Sequence, residues 1–192
     1  MFQTEPNPAV LPLRAAMEAR DVAAIVDAFA PDAVLHSPLT SRLDFIGHEQ
    51  IRALAQVLVE VFEDLRYTDE ACDGTTGFLA WSARIGGQEI EGVDQLHLGT
   101  DGKIQEFTAF FRPLPAAALA LRLIGTGLAR RKSPARAIVV STLTRPLAAL
   151  ARAGDPIGVR LVRSALSPAS SRMRLAMNER EADAGSSSSA AR

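Results

Sequence analysis

The sequence predicts an α+β fold in which helices come first and an antiparallel sheet follows. Apolar residues with helical spacing cover residues 13–29, and the pattern begins again at Gly47. Four strand-like segments then follow one another, with the turn sequences Gly86-Gly87 and Asp101-Gly102 between them. Because these strands are consecutive and do not alternate with helices, the pattern indicates an antiparallel meander and not a doubly wound sheet.

Each element has its own signal. Asp21 can cap a second helix within residues 13–29. Pro38 ends a short strand over residues 33–37, and residues 40–46 are predicted as a loop before the helix at Gly47. The meander strands are expected at the following residues, with a type I′ turn at Asp101-Gly102: 65–73, 77–85, 88–98 and 103–112.

The two turns fix which strand residues face each other, and therefore which side chains share a face of the sheet. Pairing across Gly86-Gly87 places Leu79 opposite Asp94, and pairing across Asp101-Gly102 places Asp94 opposite Ala109. One face then carries a single acid among apolar neighbours: Leu79, Trp81, Ala83, Ile90, Asp94, Leu96, Phe107 and Phe111. This face is predicted to lie under the helices, with Asp94 at its middle.

Asp94 is the sharpest functional candidate in the sequence. A carboxyl group on an apolar surface must be hydrogen-bonded, paired or protonated, because an unpaired buried charge is costly. Asp94 is either a structural residue satisfied by backbone amides or a nearby Arg, or a carboxyl of raised pKa that faces a ligand cavity. In the second case it would act as an acid, a base or a hydrogen-bond donor.

The chain resembles the SnoaL-like proteins of the nuclear transport factor 2-like superfamily over residues 11–113. Four stretches carry the resemblance: AMEARDVAAIVDAFAPDAVLHSPL, the helix from Gly47, EVFEDLRYTDE and EGVDQLHLGTDGKIQEF. The resemblance implies a cone-shaped, curved sheet of the cystatin-like kind wrapped around helices, a deep apolar pocket and a homodimer. Members include ketosteroid isomerases, limonene epoxide hydrolases and polyketide cyclases, so it implies a fold but not one reaction.

Catalytic residues carry over from this resemblance only in part. Where ketosteroid isomerases have a general-base Asp before the Pro that ends the first strand, this chain has Ser37. Their oxyanion-hole Tyr falls at about Leu13, whereas their protonated oxyanion-hole Asp corresponds to Asp94. The last Asp of the epoxide hydrolases aligns with Ala109. Neither steroid isomerisation by that mechanism nor epoxide hydrolysis is therefore favoured.

The candidate catalytic residues are Asp94, His36 and Ser37. Strand alternation turns Ser37 inward and His36 outward, although a bulge at Pro38 would reverse this order. An inward His36 would form a proton-transfer pair with Asp94. An outward His36 would instead hydrogen-bond its own loop.

The candidate ligand pocket draws on the inner face of the sheet and on nearby aromatic residues. Trp81 lies opposite Gly92, which fits either an open pocket wall or close packing of the indole ring, and Tyr67 supplies a hydroxyl if it faces inward. The predicted lining is Trp81, Leu79, Leu96, Phe107, Phe111, Phe45 and Tyr67. No two histidines have metal-ligand spacing, so neither a metal nor a cofactor is predicted.

Charge divides the chain into two halves. Residues 1–111 hold 7 Lys and Arg against 18 Asp and Glu, a net −11, whereas residues 112–192 hold 14 against 4, a net +10. We expect a SnoaL-like domain at 8–113, a basic amphipathic helical extension at 114–167 and a disordered tail at 168–192. The helices of the extension either pack on the chain's own acidic domain or on a dimer partner, where the opposite charges complement each other, or dock on an anionic membrane surface. Within the extension, separate short helices are predicted on either side of Pro146 and Pro156.

These patterns favour a protein that binds a small hydrophobic ligand, with cofactor-independent proton transfer of the isomerase or cyclase type if it is an enzyme. The alternative is a non-catalytic dimeric interaction protein whose extension docks on an anionic membrane surface or on a partner protein. Nucleic acid is not expected, because no recognition motif is present and Lys is scarce. One cysteine, Cys72, and the lack of a secretory signal or a spanning apolar run favour the cytoplasm.

Overall fold

The computed structural model describes residues 11–38 and 42–166, so the predicted tail at 168–192 lies outside the described residues. Within that part of the chain the helices and strands follow this order: α1 (Leu11–Glu18), α2 (Val22–Asp27), β1 (Phe29–His36), β2 (Asp44–Ile46), α3 (Gly47–Val61), β3 (Phe62–Asp73), β4 (Thr76–Ile85), β5 (Gln88–Leu98), β6 (Ile104–Arg112), α4 (Leu114–Lys132) and α5 (Pro134–Leu166). The predicted α+β class is confirmed.

The N-terminal helices form where their sequence signals place them. The Asp21 carboxylate accepts hydrogen bonds from the backbone N–H groups of Ala23 and Ala24, at 2.9 and 3.1 Å, so the predicted cap is confirmed. Strand β1 begins earlier than predicted, at Phe29, because Phe29 pairs with Ile104 of β6. Tertiary pairing overrides the helical spacing at this residue.

One sheet contains all six strands of the described residues, in the order β2-β1-β6-β5-β4-β3. Neighbouring strands are antiparallel except for β1 and β6, which run parallel. The loop predicted over residues 40–46 is wrong at its end, because residues 44–46 form strand β2 and pair with residues 34–36. Strand β1 thereby lies beside the meander, which places His36 and Ser37 at the same sheet as Asp94.

The predicted register of the meander is confirmed. Leu79 pairs with Asp94, and Asp94 pairs with Ala109. The connection between β5 and β6 is nevertheless not a two-residue type I′ turn, because residues 99–103 separate the strands. Its Gly99 N–H donates to the Lys103 carbonyl at 2.8 Å. A β-bulge next to this loop shifts the pairing by one residue, so the loop and the bulge together restore the predicted partners.

Helix α4 packs against the sheet and against α3 and does not stand apart from them. Residues 116–120 are buried, and four of these five residues are alanines. A Cβ atom on Gly127 would lie 2.7 Å from a Val57 methyl group of α3, so the two helices approach closely at that point. The domain limits at 8–113 and 114–167 stay a prediction, with α4 contacting the sheet that precedes it.

Helix α5 is continuous over 33 residues, so the prediction of short helices divided at Pro146 and Pro156 is wrong. Each proline removes one backbone donor and costs about 3 kcal/mol in a helix interior. Alanine, leucine and arginine, which are strong helix formers, follow Pro146, whereas the weaker helix formers Gly154, Asp155 and Gly158 flank Pro156. Within the described residues, no helix is both long enough and apolar enough to cross a membrane.

Candidate functional site

A cavity of about 140 Å³ lies between the helices and the inner face of the sheet. Its wall is almost entirely aliphatic and aromatic. The residues that line it come from α1, α2, α3, α4 and all six strands, and include Leu13, Met17, Ile25, Phe29, Leu54, Leu58, Phe62, Phe107 and Phe111. Four side chains bring polar atoms to this wall: Ser37, Tyr67, Trp81 and Asp94. The cavity is therefore suited to an apolar ligand with few polar groups.

Asp94 lies on the inner face near the middle of β5, where the register of the two hairpins aims its carboxyl at the cavity. It is only 5% exposed and is the one carboxylate residue buried within the described chain. Burial raises the pKa of Asp94 from 3.8 to about 7, while a hydrogen bond from the Trp81 indole N–H lowers it in part. Near neutral pH the carboxyl group can therefore both donate and accept a proton.

Trp81 reaches Asp94 because Gly92 leaves room for its ring. A Cβ atom on Gly92 would lie 2.3 Å from Cζ2 of Trp81, so any side chain there would force the indole to move. The indole also packs edge-on against Phe62 and Phe111, with ring centroids 5.6 and 5.4 Å away. Both alternatives predicted for Trp81 hold, because its ring packs closely over Gly92 and also lines the cavity.

Tyr67 faces the cavity from β3, and its hydroxyl oxygen has no hydrogen-bond partner among the described residues. Desolvation raises the pKa of Tyr67 well above 10, and the nearby charge of Asp94 raises it further. A buried hydroxyl without a partner is costly, so it marks a place where a ligand atom can supply the missing bond. Tyr67 and Asp94 thus provide two polar contacts in one apolar cavity.

The other predicted pocket residues divide into two groups. Phe45, Phe107 and Phe111 line the cavity, as does Trp81. Leu79 and Leu96 do not line it, and their side chains pack in the core beside Asp94. Their assignment to the pocket is corrected, since sharing the inner face does not by itself give a side chain access to the cavity.

Ser37 lines the cavity, and its backbone N–H donates to the Leu43 carbonyl at 3.3 Å. His36 does not line the cavity. Its imidazole lies between two carboxylates on the other face of the sheet, with Nδ1 2.9 Å from Asp44 and Nε2 2.8 Å from Glu106. Hydrogen bonds to Asp44 and Glu106 raise the pKa of His36. The structure therefore places His36 outward, on the opposite face of the sheet from Asp94. The proton-transfer pair predicted for an inward His36 does not form.

Helix α4 supplies one wall of the cavity, although no sequence signal places it there. Leu121, Ile124, Gly125 and Leu128 line the cavity. Their i, i+3, i+4, i+7 spacing puts them on one helix face. The apolar stripe was visible in the sequence, but nothing in the sequence showed which surface it would cover.

Comparison with known proteins agrees with this geometry. A family model described as a SnoaL-like domain matches residues 12–107, which is half of the chain. An uncharacterised protein with a cystatin-like fold from Silicibacter pomeroyi is 22% identical with a TM-score of 0.62, over 72% of this chain and 95% of that one. A steroid delta-isomerase from Pseudomonas aeruginosa is 26% identical with a TM-score of 0.56, over 69% of this chain and 96% of that one. No match was found among curated proteins.

Proposed function

This chain belongs to the SnoaL-like domain family of the nuclear transport factor 2-like superfamily, and we propose that its cavity binds a small apolar ligand through an oxygen atom. The observation that carries the proposal is the pair formed by the Asp94 carboxyl and the Tyr67 hydroxyl inside an apolar wall, where that hydroxyl has no hydrogen-bond partner in the described part of the chain. A carbonyl or phenolic oxygen would accept the hydrogen bond that Tyr67 has to give. Protonated Asp94 would donate a second bond to the same oxygen.

The cavity volume limits the size of the ligand. An enclosed apolar cavity of about 150 Å³ holds a molecule the size of benzene, whereas drug-sized ligands need roughly 300 Å³ or more. At about 140 Å³ this cavity matches a single ring with a short substituent.

We extend the proposal to proton transfer of the isomerase or cyclase type, without a cofactor. The ionised form of Asp94, which a pKa near 7 leaves populated at neutral pH, would remove a proton from a carbon next to a carbonyl group and, once protonated, return it elsewhere on the ligand. The protonated form, which donates to the ligand oxygen in simple binding, is not the form that starts this reaction. The Tyr67 hydroxyl would stabilise the negative charge that develops on the carbonyl oxygen. Ser37, which occupies the position of the general base in ketosteroid isomerases, would contribute a hydrogen bond and not a base.

Binding is tested with 4-nitrophenol, whose absorbance reports both its binding and its ionisation. The wild type should bind it, and Tyr67→Phe and Asp94→Leu should each weaken the affinity about tenfold by removing one hydrogen bond to the phenolic oxygen. His36→Gln is the control, because His36 lies outside the cavity. Equal affinity in all four proteins would refute the proposed contacts.

Turnover is tested with 3-cyclohexenone, whose conversion to the conjugated isomer moves one proton from the carbon between the two functional groups to the end of the former double bond. Ultraviolet absorbance follows the conjugated product. Asp94→Asn should abolish the catalysed rate, whereas His36→Gln should retain it. If the wild type binds 4-nitrophenol and catalyses nothing, the enzymatic part of the proposal is wrong and the binding part stands.

We also propose a homodimer formed through the outer face of the sheet. Phe78, Val93 and Phe110 are exposed on three neighbouring strands there, and Val93 pairs directly with Phe110. A contiguous apolar patch on a sheet face is typical of a protein interface. Sedimentation velocity should give a dimer for the wild type and a monomer for Phe110→Glu, and an unchanged sedimentation coefficient would contradict this interface.

The second candidate function is docking of α5 on an anionic membrane surface. Val139, Leu143 and Leu150 are exposed and lie on one side of the helix, and Arg145 is exposed on the opposite side. Helix α4 is not available for such docking, because its apolar face lines the cavity. Vesicles with one fifth anionic lipid should pull down the wild type but not the double variant Leu143→Asp, Leu150→Asp, and absence of wild-type binding would dismiss this candidate.

A further inference from the structure

The geometry points to α4 as the wall that sets the length of ligand the cavity accepts, with Ile124 as its central specificity-determining residue. This inference rests on the proposed function, because it assumes that the cavity is a binding site. It adds to that function a residue set outside the family match, which ends at residue 107, before α4 begins.

The side chains of α4 change character along the helix. Where α4 crosses the sheet, residues 116–120 are buried and all but Leu119 are alanines, so the backbone lies close to the strands. Leu119 contacts the hairpin at Gly86, where an added Cβ would lie 3.1 Å from its Cδ2 atom. The next turns carry the large side chains of Leu121, Ile124 and Leu128 towards the cavity. These three are only partly buried, as expected for residues that border an open space.

Helix α4 is fixed at both ends of this cavity wall. Its first half is held against the sheet by the buried residues 116–120. In its second half Gly127 packs against Val57 of α3, and Arg130 and Arg131 both contact Glu60 of α3, at 3.3 and 2.7 Å. The ion pairs are exposed and contribute little stability, so the close contact at Gly127 is the stronger constraint. Because the backbone is held on both sides, the side chains at 121–128 determine the free space beneath them.

The role of α4 is tested by measuring how the affinity of the cavity depends on ligand length. The probes are phenol and a series of 4-alkylphenols, whose oxygen can reach Asp94 and Tyr67 and whose chain extends along the cavity, with quenching of the single tryptophan as the signal. In the wild type the affinity should rise about fourfold per added methylene until the chain meets α4, and then fall. Ile124→Ala should lengthen the longest chain that fits by about two methylenes, because it removes side-chain volume from the wall. Ile124→Trp should shorten it, because it adds volume there.

Leu114→Ala is the matched control, because Leu114 is on the same helix but is 72% exposed and does not line the cavity. Its chain-length limit should equal that of the wild type. Where Ile124→Ala fails to fold, as judged by circular dichroism, Ile124→Val gives the same test with a limit shifted by about one methylene.

The outcomes distinguish this inference from the proposed function. If no phenol of the series binds to the wild type, the proposed function is wrong and the role of α4 is lost with it. If the wild type binds with a clear limit that Ile124→Ala and Ile124→Val leave unchanged, the binding site stands and the role of α4 is refuted. A shifted limit in Leu114→Ala would also refute it.

Discussion

Asp94 and His36 are two ionisable residues held on opposite faces of one sheet. Asp94 pairs with Ala109 of β6, and His36 pairs with Thr108, the residue before it, so the two side chains are separated by the thickness of the sheet. The pKa of each is raised, but for different reasons. Burial raises the pKa of Asp94, whereas hydrogen bonds to two carboxylates raise that of His36. Within the described residues, Asp94 has no charged partner and faces the cavity, whereas His36 is paired with two carboxylates outside it. A buried group of shifted pKa in a cavity is typical of a functional site.

The largest expected effect is a pH-dependent change in the free energy of unfolding, caused by the titration of Asp94. Its folded-state pKa of about 7 lies above the unfolded value of 3.8, so the folded protein binds more protons between these pH values. The free energy of unfolding should therefore fall as pH rises, by about 4 kcal/mol in total between pH 4 and pH 8. Urea unfolding at each pH should show this slope in the wild type and not in Asp94→Asn. Equal slopes in both proteins would mean that Asp94 is not a buried acid.

The second largest effect is expected for Gly92→Ala, which should break the hydrogen bond between Trp81 and Asp94. Gly92→Ala places a methyl group against the indole and should destabilise the protein by about 1–3 kcal/mol through overpacking. Displacement of the indole removes the hydrogen bond that lowers the pKa of Asp94, so this pKa should rise above its wild-type value. Both changes can be read from urea unfolding at several pH values. Gly154→Ala is the control, since nothing lies within 4 Å of the added Cβ and helix propensity favours alanine there.

The third test concerns the unpartnered hydroxyl of Tyr67. Replacing a tyrosine whose hydroxyl is hydrogen-bonded lowers stability, but Tyr67→Phe should leave the free energy of unfolding unchanged or raise it by about 1 kcal/mol. The same variant should lose affinity for 4-nitrophenol. A loss of stability comparable to that of an ordinary tyrosine-to-phenylalanine change would show that the hydroxyl already has a partner in the free protein.

The smallest effect is expected at His36. Because its side chain is 35% exposed, solvent screens its contacts with Asp44 and Glu106. Its stabilising contribution is complete below the unfolded pKa of 6.5 and is lost as pH rises through the higher folded-state pKa. Proton NMR titration should give a pKa above 6.5 in the wild type and a lower one in Asp44→Asn. A titration that Asp44→Asn leaves unchanged would contradict the pairing.

The sequence predicts the position of Asp94 because two hairpins fix the register of three strands, and alternation along a regular strand then fixes the face. The same reasoning fails for Tyr67, because β3 contains register shifts on both sides of it, between Glu63 and Arg66 and between Tyr67 and Asp69. A bulge adds a residue to one strand, so counting by twos no longer tells which side chains point inward.

The part of the site contributed by α4 could not be predicted, although its apolar stripe could. Amphipathic spacing shows that Leu121, Ile124 and Leu128 share a face, but it does not identify the surface that covers this face. The basic composition predicted packing on the chain's own acidic domain or on a dimer partner, with a membrane surface as the alternative, and it did not single out the cavity. For α5, local signals from Pro146 and Pro156 predicted helix ends that the structure does not contain, since a single missing donor is a smaller cost than breaking the helix.

The loop between β5 and β6 restricts which insertions and deletions this protein can accept during evolution. Its five residues and the adjacent bulge offset each other, and together they keep Phe107 and Phe111 on the inner face. Deleting one loop residue alone would move the pairing by one and turn these aromatic rings outward. Insertions and deletions at this hairpin should therefore survive only in compensating pairs, so that the length of the loop and the presence of the bulge are inherited together.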